Sequence, residues 1–343
     1  MGIVGLLLLG LGLGWAWMVL VTARSLARPP RRGYAWAVSK SRPADPSELH
    51  SPREFQTILI KHNALESGPA WIIPGDNPSG PVVIFCHGWG ETKMDILQRL
   101  DAILPHCSRI ISWDMPGHGE APKGATPLGT SEWMILEDLV ELAQGEDLDA
   151  RERDAEGLEA TLEDEADWDA HFDKPPKPGA PRVVLWGYSL GAGVAIDLVA
   201  NRARRISAVI AESPYRLAPT PARNMLILKR LPWRLTLGPA MFLLGITRND
   251  GPRWTGFDRA SLARDAHCPI LVIHGDADEI SPPADGAAIA RAAGTGEDGT
   301  SPSRGTLVPL PGATHFDLWL DPARADARAI ATDAIGSFIR SVS

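Results

Sequence analysis

From Phe55 onward, short continuous apolar runs alternate with stretches of helical length, and no other feature constrains the fold as much. Val82–Cys86, Arg109–Trp113, Val183–Trp186, Ala208–Ala211, Ile270–His274 and Thr306–Leu310 read as strands. Runs that lack polar alternation belong to strands covered on both faces. Helices are predicted from about Lys93 to Leu104, from near Ser131, and over Leu190–Asn201, Ala284–Ala293 and Asp326–Ile339. Thr57–Lys61 and Ala70–Ile73 read as an antiparallel hairpin ahead of the first buried strand. The expectation is an α/β fold: a mostly parallel sheet of about eight strands with helices on both faces.

Two segments break the alternation. Between Glu141 and Asp173 there are fourteen acidic residues and two arginines, a local net of −12. The whole chain of 343 residues carries only −8, so the remainder is about +4. Residues 141–173 are read as a solvated helix extension or a disordered insert. Residues 213–260 hold apolar runs broken by Pro and Gly and are too long for a simple connection between two core strands. The net negative charge argues against a nucleic-acid partner. Cys86, Cys107 and Cys268 have no metal-ligand or disulfide spacing and read as small core residues.

Residues 1–23 are expected to be a membrane anchor. Ile3–Ala23 carries no charge, and about 20 apolar residues cross a bilayer core. Val21-Thr22-Ala23 would also pass as a signal-peptide cleavage site, which leaves a secreted or periplasmic product as the alternative. The length of the run and the lack of Lys or Arg before it favour an uncleaved anchor. Arg24, Arg28, Arg31 and Arg32 follow, which puts the rest of the chain on the cytoplasmic side. Residues 24–54, rich in Arg, Pro and Ser, are read as a linker to a domain over 55–343.

The chemistry-bearing residues fall at strand ends. Gly187-Tyr188-Ser189-Leu190-Gly191 directly follows a strand and opens a helix, a junction that projects the serine hydroxyl above a sheet. A serine needs a base, and His315 stands just after the last strand. The base needs an orienting acid, and His274-Gly275-Asp276-Ala277-Asp278 follows another strand; Asp278 is the choice and Asp276 the rival. His87-Gly88-Trp89-Gly90 closes the strand Val82–Cys86, so the backbone N–H groups of Trp89 and Leu190 are candidates for an oxyanion hole. His87 itself reads as structural, and Gly88 as the residue that turns the main chain toward a substrate.

On these residues the chain resembles the α/β-hydrolase superfamily from about residue 55 to its end. Phe85–Gly90 is similar to that family's His-Gly oxyanion turn, and Asp114-Met115-Pro116-Gly117-His118-Gly119 to its Asp-x-x-Gly-x-Gly loop. Ser189, Asp278 and His315 stand in the family's order of nucleophile, acid and base. Within the superfamily the chain looks closest to small membrane-anchored hydrolases of the serine-aminopeptidase-like type. The resemblance implies that residues 213–260 form a cap over the site, and it implies hydrolysis of a carboxylic ester or thioester through an acyl-serine, on a small-molecule or lipid-like substrate. A serine peptidase or amidase is the alternative, and a non-catalytic membrane-anchored scaffold the second. This chemistry calls for no metal or organic cofactor.

Overall fold

A computed structural model describes residues 2–61, 66–145, 159–161, 179–201, 205–247, 254, 256–294 and 304–342. Helix α1 (Ile3–Ala27) is followed by a short α2 (Tyr34–Ser39), then by strands β1 (Gln56–Lys61), β2 (Glu66–Pro74) and β3 (Val82–Cys86). Next come α3 (Leu100–Ile103), β4 (Arg109–Trp113), α4 (Trp133–Gln144), β5 (Glu159–Thr161), β6 (Val183–Tyr188), α5 (Leu190–Asn201) and β7 (Ile206–Glu212). Three helices, α6 (Pro219–Leu228), α7 (Trp233–Thr247) and α8 (Arg259–Arg264), separate β7 from β8 (Ile270–Gly275). The chain ends with α9 (Pro283–Ala293), β9 (Gly305–Leu310) and α10 (Ala325–Val342).

Among the described residues the sheet has nine strands in the order β5-β1-β2-β4-β3-β6-β7-β8-β9. Only β2 runs against the rest, pairing antiparallel with β1 and β4. All residues of β3, β6 and β8 are buried, which is why each opens on an uninterrupted apolar run of at least four residues. After β3 the order steps to β4 on one side, and from β6 it runs to β9 on the other. The carboxyl ends of β3 and β6 therefore flank a switch point, where such sheets leave a crevice. Register pairs Cys86 with Gly187, so Trp89 and Ser189, a few residues on, emerge side by side.

The structure departs from the sequence expectations in four places. The helix expected over 93–104 is a 3-10 turn (Lys93–Gln98), the single turn α3 and a second 3-10 turn (Leu104–His106). Lys93, at the start of this stretch, is turned inward to pair with Asp114 at 2.9 Å, and its first turn is closed by a capping box between Thr92 and Asp95. Helix α1 continues to Ala27, and the stretch read as a linker is tied down. Thr126 N–H donates to the Ala27 carbonyl at 2.8 Å, and Ala37 and Ala44 are buried. In the acidic stretch, Glu159–Thr161 forms β5 and pairs parallel with β1 at the sheet edge. Residues 146–158 and 162–173, on which the reading as a solvated or disordered insert mainly rested, lie outside the described residues. In the turn after β3, the left-handed backbone is at Gly90 (φ 75°) rather than Gly88. Gly88 is needed for a different reason: a Cβ there would sit 2.8 Å from the Tyr188 ring.

Candidate active site

Ser189 has φ 51°, in the left-handed region that a non-glycine residue occupies only when its surroundings enforce it. Its N–H donates to the Glu212 carbonyl at 2.8 Å, fastening the turn to β7. A Cβ on Gly191 would collide with the Cys86 carbonyl, and one on Gly187 with the Gly191 carbonyl. The flanking glycines thus let α5 start directly against β3, with Ser189 at the apex.

His315 Nε2 lies 3.0 Å from Ser189 Oγ, and His315 Nδ1 lies 2.7 Å from Asp278 Oδ2. All three residues are buried, at 5 to 6% exposure, in spite of their polarity. The other Asp278 oxygen accepts the N–H groups of Ile280 (2.9 Å) and Ser281 (2.7 Å). His274 Nε2 approaches Asp278 Oδ2 at 3.4 Å. Burial by itself would raise the Asp278 pKa, but the hydrogen bonds of His274 and His315 outweigh it and hold the carboxyl well below its ordinary range. The rival Asp276 points elsewhere: it accepts the Gly312 N–H at 2.7 Å and is exposed.

The Trp89 and Leu190 N–H groups find no acceptor among the described residues. Leu190 opens α5, so its N–H is one of the donors a helix start leaves free, at the positive end of the helix dipole. His87 is a structural tie. Its Nε2 accepts the Met115 N–H at 3.0 Å, its Nδ1 faces the Gly88 carbonyl at 2.9 Å, and burial pushes its pKa down to about 3.

Sequence reasoning missed two sets of residues. One is a brace below the serine. The Glu212 carboxylate takes Arg99 Nε (2.8 Å) and an Arg99 terminal nitrogen (2.7 Å), with the indole N–H groups of Trp186 (2.9 Å) and Trp319 (2.7 Å). The only local signal was an acid ending a buried strand. The other set is N-terminal. A cavity of about 280 Å³ opens over Ser189 and is lined by Leu26 as well as by Trp89, Met225, Met241, Trp254 and Phe316. Arg32 and Lys229 add two cationic side chains to the lining. The Trp89 indole N–H donates to the Leu26 carbonyl at 2.9 Å, so the end of α1 is fixed to the turn that carries the free N–H. No local pattern announces a contact across 63 residues of chain.

Residues 83–328 match a family model described as the alpha/beta hydrolase family. No curated protein sequence matches the chain significantly. Among solved structures, an esterase from Pyrococcus furiosus is 17% identical with a TM-score of 0.61, covering 93% of this chain and 98% of its own. A monoacylglycerol lipase from Paleococcus ferrophilus is 18% identical with a TM-score of 0.51, covering 80% of this chain and 98% of its own. At these identities the likeness is one of fold.

Proposed function

The chain belongs to the alpha/beta hydrolase family, and from that premise we propose that it is a serine hydrolase cleaving an apolar carboxylic ester or thioester at a membrane. The observation that carries the reading is the line of hydrogen-bonding atoms from Ser189 Oγ through His315 to Asp278, at 3.0 and 2.7 Å. Ser189 Oγ attacks the acyl carbon as its proton passes to His315 Nε2. Asp278 fixes the His315 tautomer and stabilises the imidazolium. The Trp89 and Leu190 N–H groups receive the oxyanion. Collapse expels the alcohol or thiol, which takes the proton from His315. Water, deprotonated by the same imidazole, then releases the acid and restores Ser189.

The apolar lining of the cavity supports an acyl chain as the bound group. Helix α1 is long and apolar enough to cross a membrane. Arg24 in its last turn and Arg28, Arg31 and Arg32 after it favour a cytoplasmic catalytic domain. Protease added outside intact cells tests that orientation: the domain should survive, and its cleavage would reverse the assignment. The enzymatic reading is tested by a fluorophosphonate probe, which should label the chain and fail to label Ser189→Ala. A folded wild-type chain that takes up no probe would leave the scaffold reading. Faster turnover of aminoacyl amides than of esters would move the reading to an amidase.

A further inference from the structure

Helix α7 has the wrong surface for water. Its outward residues Leu235, Phe242 and Ile246 are 61, 53 and 53% exposed, and no charged residue occurs from Leu235 to Ile246. A cap helix packed on its own domain and facing solvent carries a polar outer stripe. Here the polar stripe is missing, while α7 buries its other side through Leu237, Ala240, Met241 and Leu244.

Helix α1 says what covers that face. It packs along α7, and the Trp15 indole N–H donates to the Leu235 carbonyl at 3.0 Å. Ile3–Gly14, the part before this contact, reaches only about 18 Å at the helical rise. A bilayer core is about 30 Å thick and takes about 20 residues, so a span beginning at Ile3 extends to near Thr22. Residues Trp15 to Thr22 then lie in hydrocarbon with α7 alongside them. Their free side is apolar as well, through Trp17, Leu20 and Val21. Arg223, Lys229, Arg230 and Arg234 are all exposed around the α6–α7 connection. Lys229 lies over the Trp89 ring at 5.1 Å and so beside the Leu26 end of α1, where headgroup phosphates would meet it. Arg234, next to the Trp15 contact, would reach toward them along its methylene stem.

We propose that α7 is sunk into the same leaflet that holds α1, and that the cavity over Ser189 draws its acyl chain directly from that leaflet. The two helices share the cavity wall, Leu26 coming from α1 and Met241 from α7. The substrate class is therefore an acyl ester already dissolved in the membrane, reaching the serine without crossing water. The substrate half rests on the serine-hydrolase reading; the seat of α7 does not.

The test uses the full chain in mixed phosphatidylcholine–phosphatidylglycerol vesicles. Phe242→Cys carries an environment-sensitive fluorophore, and Asp101→Cys, exposed on α3 at the opposite face of the sheet, is the control. Cys86, Cys107 and Cys268 are buried and leave the added thiol as the reactive one. Lipids brominated on their acyl chains should quench the probe on α7 and leave that on α3 unchanged. Equal quenching at the two sites overturns the proposal, as does a chain that fails to float with the vesicles. A disulfide between two unlabelled copies of the Phe242→Cys chain, with no quenching of the labelled one, would also overturn it and assign the face to a second copy. Phe242→Asp with Ile246→Asp should cut hydrolysis of a long-chain ester held in vesicles by roughly tenfold, with a short soluble ester changed by less than about twofold. Equal loss on both esters rejects delivery from the leaflet. Quenching without fluorophosphonate labelling would sink the serine-hydrolase reading and keep the seat of α7; labelling without quenching would do the reverse.

Discussion

Around Ser189 the molecule buries polar groups; along α1 and α7 it exposes apolar ones. Both depart from the ordinary partition of side chains, in opposite directions. The first departure is compensated inside the chain. Asp278 accepts from two backbone N–H groups and His315, and Glu212 from Arg99 and two indoles. The second has no compensation among the described residues, since Leu235, Phe242 and Ile246 face outward. A satisfied buried polar cluster can work alone, whereas an uncovered apolar face calls for a surrounding phase. The two meet at the cavity, where Ser189 and His315 share a lining with Leu26 and Met241.

The buried polar half stands or falls at the serine. Ser189→Ala should lower kcat by about 10⁵ to 10⁶ while far-UV dichroism and the unfolding midpoint hold, because only the hydroxyl is lost. Residual turnover above about a hundredth of wild type would place the nucleophile elsewhere. Asp278→Asn should cost about 10⁴ in kcat, since the amide presents an N–H or a poorer acceptor where His315 Nδ1–H needs a carboxylate. Asp276→Asn should change kcat by less than about threefold, as that side chain is exposed and only ties Gly312. Comparable losses in the two variants would mean that the acid had been assigned to the wrong residue.

How far this arrangement could be read beforehand depended on the range of the interactions. The boundaries of β3, β4 and α5 were legible because a buried parallel strand is a continuous apolar run and a helix starting at the elbow has a local signature. The closeness of Ser189, Asp278 and His315 followed from strand-end positions, since β6, β8 and β9 all deliver their loops to one sheet edge. Non-local packing was illegible. Lys93 turns inward for Asp114 and Glu120, which breaks what composition suggests is one helix. Trp15 bonds to Leu235 across 220 residues, and Leu26 to Trp89 across 63, so the role of α1 as a cavity wall left no trace in any window. Gly88 and Gly90 carried a glycine signal but not its cause, which is a ring contact at one and a left-handed backbone at the other.

The junction of the two regions is tested at Leu26, whose carbonyl holds the Trp89 indole and whose side chain lines the cavity. Leu26→Trp keeps that carbonyl and fills part of a space of about 280 Å³. The ratio of long-chain to short-chain ester hydrolysis should fall about tenfold, in line with about 1–3 kcal/mol for a misfitted methylene in an apolar pocket. An unchanged ratio would remove α1 from the acyl site.

The smallest effect concerns whether burial near the site is tolerated only for neutral groups. His87 and His118 pack edge to face, 4.9 Å between ring centroids, and burial holds both pKa values at about 3 against an ordinary 6.5. Between those values the unfolded chain binds protons that the folded chain refuses, so stability falls as pH drops. The contribution is complete above about pH 6.5 and is lost progressively down to about pH 3, at up to ~1.4 kcal/mol per pH unit for each imidazole. Glu91 opposes this trend at higher pH, because burial raises its carboxyl to about 8 and favours the protonated folded form below that. The imidazoles are therefore isolated by comparing variants at the same pH. His87→Gln with His118→Gln should lower stability at about pH 7, since the acceptor for the Met115 N–H is disturbed, yet flatten the slope from about pH 5.5 to 4.5 by about 2 kcal/mol per unit. Urea midpoints at the two pH values measure it. Parallel slopes in variant and wild type would show that the buried rings are not what acid titrates, and that the polar half of the molecule tolerates charge better than its burial implies.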